Sequence, residues 1–190
     1  MDESLENAVS VNTLPHVTPD TSTSSMTQEK TIITSIDWKP DGNMFITAAS
    51  DGICRLWSAK GEASVVMYNE IAMPLKNKDQ IGGPFGPNGT TDSLQYNQIS
   101  QGDIDTIFDC KWNKDGSAIV TVSEKNNVIL WNTEGKLRAS YQGHTDSVVA
   151  IDWKNNNMFA TAAQDGVIKI WDVQSSSAIK TYNAHDSNIR

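Results

Sequence analysis

The sequence is poor in cysteine and histidine, with two cysteines and three histidines among 190 residues. Cys54 and Cys110 each lie inside an apolar run, so we expect two buried, reduced thiols of an intracellular protein, not a disulfide or a metal pair. The histidines stand far apart, at positions 16, 144 and 185. This scatter argues against a metal centre and against a metal-dependent enzyme.

The sequence also lacks basic clusters and long apolar runs. The formal net charge is −8, and binding to nucleic-acid phosphates requires clustered Lys and Arg, so direct contact with DNA or RNA is not expected. Every apolar run is shorter than the roughly 18 residues of a membrane helix. Residues 1–10 (MDESLENAVS) contain no apolar signal segment. The composition therefore predicts an intracellular chain without membrane contact.

The six tryptophans, by contrast, are regularly spaced. They form three pairs whose members lie 19, 19 and 18 residues apart: Trp38/Trp57, Trp112/Trp131 and Trp153/Trp171. The second members of the last two pairs are 40 residues apart, and those of the first two pairs are 74 apart. This spacing indicates a 40-residue unit used three times, with an insertion after the first copy. A period of this length without helical periodicity is typical of propeller blades.

Each unit is predicted to contain four short strands. Asp51-Gly52, Asn126-Asn127 and Asp165-Gly166 are typical of hairpin turns between alternating strands. Apolar strands are predicted at 44–49, 118–122 and 158–163, and fourth strands at 63–68, 137–141 and 178–182. One such sheet cannot bury both of its faces, so the copies are expected to stack. A β-sandwich with chance similarity between its parts is the less favoured alternative.

The pattern predicts an all-β fold, a partial β-propeller of three four-stranded blades and the first strand of a fourth. The segments are a flexible leader rich in Ser, Thr and acids (1–30), blade 1 (31–68), an insertion loop rich in Gly, Pro and Asn (69–101), blade 2 (102–142), blade 3 (143–183) and the start of a further blade (184–190). Three blades and a single strand do not close a ring, so a fragment of a larger propeller is expected.

The third unit carries a recognisable polar signature. Its Gly143-His144 and Trp171-Asp172 pairs resemble the WD-repeat family, whose blades have Gly-His near the start and Trp-Asp near the end. The resemblance implies a ring of seven or eight blades and a buried hydrogen-bond tetrad. Its members here would be His144, Thr161, Asp165 and Trp171. A hydrolase triad built from the same residue types is the alternative, disfavoured because no oxyanion element is recognisable.

The other two units depart from this signature. The equivalent positions are Thr47, Asp51 and Trp57 in the first unit and Asp103, Thr121, Lys125 and Trp131 in the second. In the second unit the histidine position holds an acid and the acid position holds a base, so we predict an ion pair between Asp103 and Lys125. Glu29 stands near the histidine position of the first unit, beside Asp51, so no polar series is expected there.

Within the WD-repeat family, one subgroup is most similar. Residues 34–38, 107–114 and 152–160 resemble the first blades of the transducin-beta-like corepressor subunits and their fungal relatives. The resemblance implies a nuclear, non-enzymatic scaffold without a cofactor, in a histone deacetylase complex that represses transcription. Its partners would be deacetylase and corepressor subunits. The alternatives are a ubiquitin-ligase substrate receptor, a cytoplasmic assembly platform and, from another class, a propeller-shaped enzyme.

A set of polar residues beside the tetrad is a candidate partner-contact face. These residues are predicted to be exposed around the ring opening: Ser50, Asp105, Glu124, Asp146, Ser147 and Gln164. Their acidic balance would suit a basic peptide such as a histone tail. The alternative is that they are solvated loop residues without a partner.

Overall fold

A computed structural model describes residues 31–60, 63–68 and 104–185 of the chain. The leader, the insertion loop and nearly all of the predicted further blade lie outside these residues. Twelve strands are present in the described part, and they form three four-stranded antiparallel sheets. The prediction of an all-β partial propeller is therefore confirmed.

The strands follow one another in chain order within each sheet. The first sheet contains β1 (Ile33–Trp38), β2 (Met44–Ala49), β3 (Ile53–Ser58) and β4 (Ala63–Tyr68). The second contains β5 (Ile107–Trp112), β6 (Ala118–Ser123), β7 (Val128–Asn132) and β8 (Leu137–Tyr141). The third contains β9 (Val148–Trp153), β10 (Met158–Ala163), β11 (Val167–Asp172) and β12 (Lys180–Asn183).

The last strand begins later than the sequence pattern predicts. A fourth strand is predicted from residue 178, but β12 starts at Lys180. A serine-rich turn delays it, because Ser175 donates its backbone N–H to Asp172 O at 3.0 Å and Ser177 donates its N–H to Ser175 Oγ at 3.3 Å. Local side-chain bonds of this kind compete with strand pairing.

The turns between the second and third strands use left-handed backbone conformations. Gly52 and Gly166 have φ values of 75° and 77°, and Asn126 takes the same role in the second sheet with φ 57°. Glycine has no Cβ to clash in this region, and asparagine tolerates it better than other residues. These turns lie at the same end of each sheet. We call this end, with the residues that directly precede the turns, the loop face.

The apolar core lies between neighbouring sheets. One cluster joins Ile46, Leu56 and Met67 of the first sheet to Cys110 and Trp112 of the second. The other joins the opposite face of the second sheet to the third and includes the members Leu130, Tyr141, Trp153, Phe159 and Trp171. Strand β6 is buried along its whole length, since its sheet is covered on both sides. The sheets therefore stabilise one another, as stacked repeats do.

Carboxylates tie the first strands of the three sheets together. Asp109 on β5 accepts a hydrogen bond from Ser35 Oγ at 2.7 Å and one from the backbone N–H of Ile151 at 3.2 Å. Asp37 on β1 accepts the N–H of Trp112 at 2.8 Å. Neither acid was among the residues predicted from the sequence to have a role. Such acids are recognisable in the sequence because they stand one to three residues before the first Trp of a pair.

Candidate functional site

The second tryptophan of each pair occupies an equivalent place in its sheet. Trp57, Trp131 and Trp171 are buried, and each donates its indole Nε1–H to a threonine hydroxyl ten residues earlier in the chain. The distances to Thr47, Thr121 and Thr161 are 2.9, 2.9 and 2.8 Å. Because indole nitrogen is only a donor, each threonine oxygen must accept.

In the third sheet this pair extends into the four-residue series that the sequence predicts. His144 Nε2 lies 2.8 Å from Thr161 Oγ1, and His144 Nδ1 lies 3.0 Å from Asp165 Oδ2. The same carboxylate accepts the backbone N–H groups of Thr145 and Val167. The histidine comes from the segment before β9, the threonine from β10 and the acid from the β10–β11 turn. The series thus joins three parts of the sheet.

The burial of the tetrad determines its protonation. Burial lowers the pKa of His144, although the hydrogen bond and charge of Asp165 oppose the shift. The imidazole is therefore neutral near pH 7, with its proton on Nδ1 facing the carboxylate. His144 Nε2 then accepts a hydrogen bond from the Thr161 hydroxyl, while Thr161 Oγ1 accepts one from the Trp171 indole. The hydroxyl is fully committed and buried, so it has the geometry of a scaffold element and not of a nucleophile.

The pKa of Asp165 is also lowered. Burial alone would raise it, but hydrogen bonds from Thr145 N–H, His144 and Val167 N–H outweigh that effect. Both shifts favour the fold at neutral pH. A lowered histidine pKa stabilises the fold fully above the usual value of 6.5, and this stabilisation is lost as the pH falls through the folded-state pKa. The lowered pKa of Asp165 has the same effect at lower pH, since its stabilisation of the fold is lost as the pH falls below the usual aspartate pKa of 3.8.

We therefore expect the free energy of unfolding to fall between pH 7 and pH 5, because the unfolded chain takes up a proton at His144 more readily than the folded chain does. The substitution His144→Gln removes this titration, so its unfolding free energy should depend less on pH over the same interval. Urea titrations at several pH values measure both slopes. His185→Gln is the control for loss of a histidine side chain, since His185 is exposed, and it should leave the free energy of unfolding at pH 7 unchanged. Equal slopes for His144→Gln and wild type would contradict the assignment.

The first sheet satisfies its turn acid in a different way. Asp51 accepts the backbone N–H of Ile53 and pairs with Arg55, whose guanidinium nitrogen lies 3.0 Å from Asp51 Oδ2. Arg55 thus lies against the Asp51 carboxylate as His144 lies against the Asp165 carboxylate in the third sheet. Glu29, named above for this position, lies outside the described residues.

One candidate partner-contact residue, which lies beside the second sheet, was predicted wrongly. Asp105, predicted to be exposed for partner contact, is only 3% exposed. Its carboxylate accepts hydrogen bonds from Ser123 Oγ at 2.8 Å, Lys125 N–H at 2.8 Å and Asn127 Nδ2 at 2.6 Å. The turn of this sheet has lysine where the others have aspartate, and Asp105 supplies the missing acceptor from the neighbouring segment. Asp103, and with it the predicted ion pair, lies outside the described residues.

The other five candidate contact residues lie at the loop face. Ser50, Glu124 and Gln164 follow the second strand of their sheets, and each donates its backbone N–H to the segment leading into the first strand. Glu124 and Asp146 are exposed, whereas Ser50, Ser147 and Gln164 are partly exposed. Ser147 Oγ donates to Glu124 O at 2.8 Å. This bond links the third sheet to the second at the loop face.

The thiols and other potential ligands form no reactive group in the described part of the chain. Cys54 and Cys110 are free and buried. Burial raises the pKa of the Cys54 thiol, which makes it a poor nucleophile. Among the described residues, no group of three or more His, Cys, Asp or Glu side chains is placed to hold a metal ion. Those residues also include no helix with the length and apolarity to cross a membrane.

Comparison with known proteins places this geometry in context. A family model described as "WD domain, G-beta repeat" matches residues 21–58, 97–132 and 135–172. The F-box-like/WD repeat-containing protein TBL1X of Mus musculus is 24% identical over 158 residues, which cover 83% of this chain and 24% of that protein. The guanine nucleotide-binding protein subunit beta of Zea mays is 26% identical over 187 residues, covering 82% and 48%.

Solved structures agree on the fold. The WD40 repeats of RRP9 superimpose with a TM-score of 0.61 at 16% sequence identity, over 82% of this chain and 40% of that one. The chain thus spans less than half the length of the relatives and of the structure named here. At this identity the structural likeness bears on the fold alone.

Proposed function

Because the chain belongs to the WD-repeat family, we propose that it is a non-enzymatic scaffold for protein–protein interaction, acting in the nucleus as a subunit of a histone deacetylase corepressor complex. The sequence resemblance of residues 31–190 to the transducin-beta-like corepressor subunits supports this function, as does the similarity to TBL1X. The same chain is equally similar to G-protein beta subunits, so the test must separate a nuclear from a cytoplasmic scaffold.

The observation that carries the proposal is a pair of exposed acidic residues at the loop face, held on a rigid base. Glu124 and Asp146 are exposed there, and the Ser147–Glu124 hydrogen bond joins the two segments that bear them. Beneath them, the His144–Thr161–Trp171 series fixes the third sheet. Charges presented on a preorganised surface bind a partner without a large ordering cost. A lysine-rich peptide, such as a histone tail, has the complementary charge.

Charge reversal tests this contact directly. We expect the double substitution Glu124→Lys and Asp146→Lys to weaken binding of a lysine-rich histone-tail peptide about tenfold, at roughly 0.5–1 kcal/mol for each exposed charge. Fluorescence anisotropy at low and high salt measures the change, which should shrink as salt screens the charges. Glu134→Lys is the matched control, because Glu134 is exposed at the opposite end of β7.

The control should bind as wild type does. Equal binding by the double variant and the wild type would remove the loop face from the proposal, and equal losses in the double variant and the control would show a general effect of net charge.

The identity of the complex is tested by affinity purification with mass spectrometry. Recovery of deacetylase and repressor subunits with the tagged protein supports the corepressor function. Recovery of cullin-type components instead supports the alternative of a ubiquitin-ligase substrate receptor. Cytoplasmic assemblies without either set would support the assembly platform.

A further inference from the structure

The two cysteines of the chain lie on opposite sides of the junction between the first and second sheets. Cys54 is on β3 and Cys110 is on β5. Both side chains are completely buried, and both belong to the apolar cluster that joins the two sheets. The thiols interact with each other, since the pKa of Cys54 is raised first by burial and then by a hydrogen bond with Cys110. Two thiols from separate sheets are thus neighbours in the core.

The junction between the second and third sheets has two apolar residues at the equivalent places. Cys54 stands three residues before the second Trp of its pair, as Val128 does, and Cys110 stands two residues before the first Trp of its pair, as Ile151 does. Val128 and Ile151 are buried in one cluster. Branched aliphatic side chains therefore fill this place in the repeat, and packing alone does not require two sulfur atoms there.

The closed junction protects both thiols from oxidation. A thiol reacts as its thiolate, and burial raises the pKa of the Cys54 thiol. An oxidant also needs access, and neither cysteine side chain is exposed. Oxidation of the pair therefore requires the junction to open. Once it closes again, an oxidised sulfur from one sheet meets the thiol of the other.

We propose that Cys54 and Cys110 are a peroxide-sensitive thiol pair, which forms a disulfide across this junction after the junction has opened transiently. In the open state one thiol loses its proton to water and attacks hydrogen peroxide, whose O–O bond breaks to give a sulfenic acid and one water. On closure the partner thiol attacks the sulfenic sulfur, the S–S bond forms, and a second water leaves. The two thiols have then lost two protons and two electrons, and one peroxide has become two water molecules.

The disulfide would fix the first sheet to the second. It encloses residues 55–109, so it restricts a long segment of the unfolded chain and stabilises the folded one. Disulfides that form inside cells are usually transient and redox-sensing, in agreement with a bond that forms only under oxidising conditions. This inference concerns the sheet junction and not the loop face, so it is independent of the proposed corepressor function.

Treatment of the full chain with hydrogen peroxide tests the pair. We expect non-reducing peptide mapping by mass spectrometry to find a disulfide between Cys54 and Cys110 of the same chain. The oxidised chain should have an unfolding equilibrium constant about 100-fold lower in urea titrations, a typical effect of one disulfide. Reduction with dithiothreitol in the unfolded state, followed by refolding, should remove this difference.

The second junction supplies the matched controls. Cys54→Val and Cys110→Ile introduce the side chains that occupy the equivalent places, so each variant should retain a packed core. Neither variant should form a disulfide within the chain, and peroxide should not stabilise either one. Circular dichroism establishes folding, and Cys54→Ala replaces Cys54→Val if that variant does not fold.

Several results would overturn the inference. Wild-type chains that carry sulfinic acids without a cross-link, or disulfides between separate chains, would show that closure does not bring the two sulfur atoms together. Two thiols that survive a peroxide treatment sufficient to oxidise the unfolded chain would show that the junction does not open. Equal oxidation rates for the folded and unfolded chains would contradict protection by the closed junction. Stabilisation of a single-cysteine variant by peroxide would assign the effect to another residue.

Discussion

The substitution Trp171→Ala is expected to lower the free energy of unfolding by about 3–5 kcal/mol, the range for truncating a fully buried aromatic side chain. Trp171 is completely buried between the second and third sheets. Its ring lies 5.5 Å from that of Tyr141 and 6.5 Å from that of Phe159. The truncation opens a cavity at this junction and also leaves Thr161 without its indole donor. Equilibrium denaturation in urea measures the loss.

Leu137→Ala is the control for this prediction. Leu137 also lies in a strand, but 48% of it is exposed, so its truncation should cost less than about 1 kcal/mol. Similar losses in the two variants would contradict the view that the junction of the second and third sheets depends on Trp171.

The substitution Thr161→Val should cost about 2–4 kcal/mol, although it barely changes the side-chain volume. It removes the oxygen that accepts from Trp171 Nε1 and the hydroxyl that donates to His144 Nε2. Two buried polar atoms lose their partner, at about 1–3 kcal/mol each. The expected cost is the lower part of the sum of these two losses, which is about 2–6 kcal/mol. Thermal and urea unfolding measure the change.

The chain supplies a matched comparison in Thr121→Val. Thr121 accepts from Trp131 Nε1 at 2.9 Å in the second sheet, where Lys125 replaces the acid of the tetrad. The substitution leaves the Trp131 indole without its acceptor. The fold already tolerates such a donor, since Trp112 Nε1 is buried without a hydrogen-bond partner among the residues that the structure describes. We expect about 1–2 kcal/mol. Equal costs at Thr121 and Thr161 would show that the histidine link does not contribute to stability.

The periodic features of the fold were predictable from the sequence. Four of the predicted strands, at 44–49, 63–68, 137–141 and 158–163, have the observed bounds of β2, β4, β8 and β10. Such strands are recognisable because alternating apolar residues and Asp-Gly turns act over a few residues. The Trp–Thr contacts were implied by the resemblance to the WD-repeat family. The structure supplies the reason for them, since a ten-residue offset across one hairpin brings the two side chains to the same face.

Features that depend on a neighbouring segment or sheet were not predictable. Asp105 was expected at the surface because of its position beside a loop. In the structure its side chain points inward to the β6–β7 turn. That turn has Lys125 in place of an aspartate, so Asp105 accepts the hydrogen bonds of Lys125 N–H and Asn127 Nδ2. Asp109 holds together the first strands of three sheets. Its role depends on the distance between sheets, to which local sequence pattern is insensitive.

The sequence by itself determined the repeat, the strand order and the residue types that fill each junction, because these follow from periodicity along the chain. Only the tertiary structure decided which copies of those residues are buried. Trp38, Trp112 and Trp153 are equivalent in sequence, but within the described residues only the last two have a preceding sheet to pack on, and Trp38 is 54% exposed. Burial is a property of what lies across the interface, and neighbouring residues in the chain do not encode it.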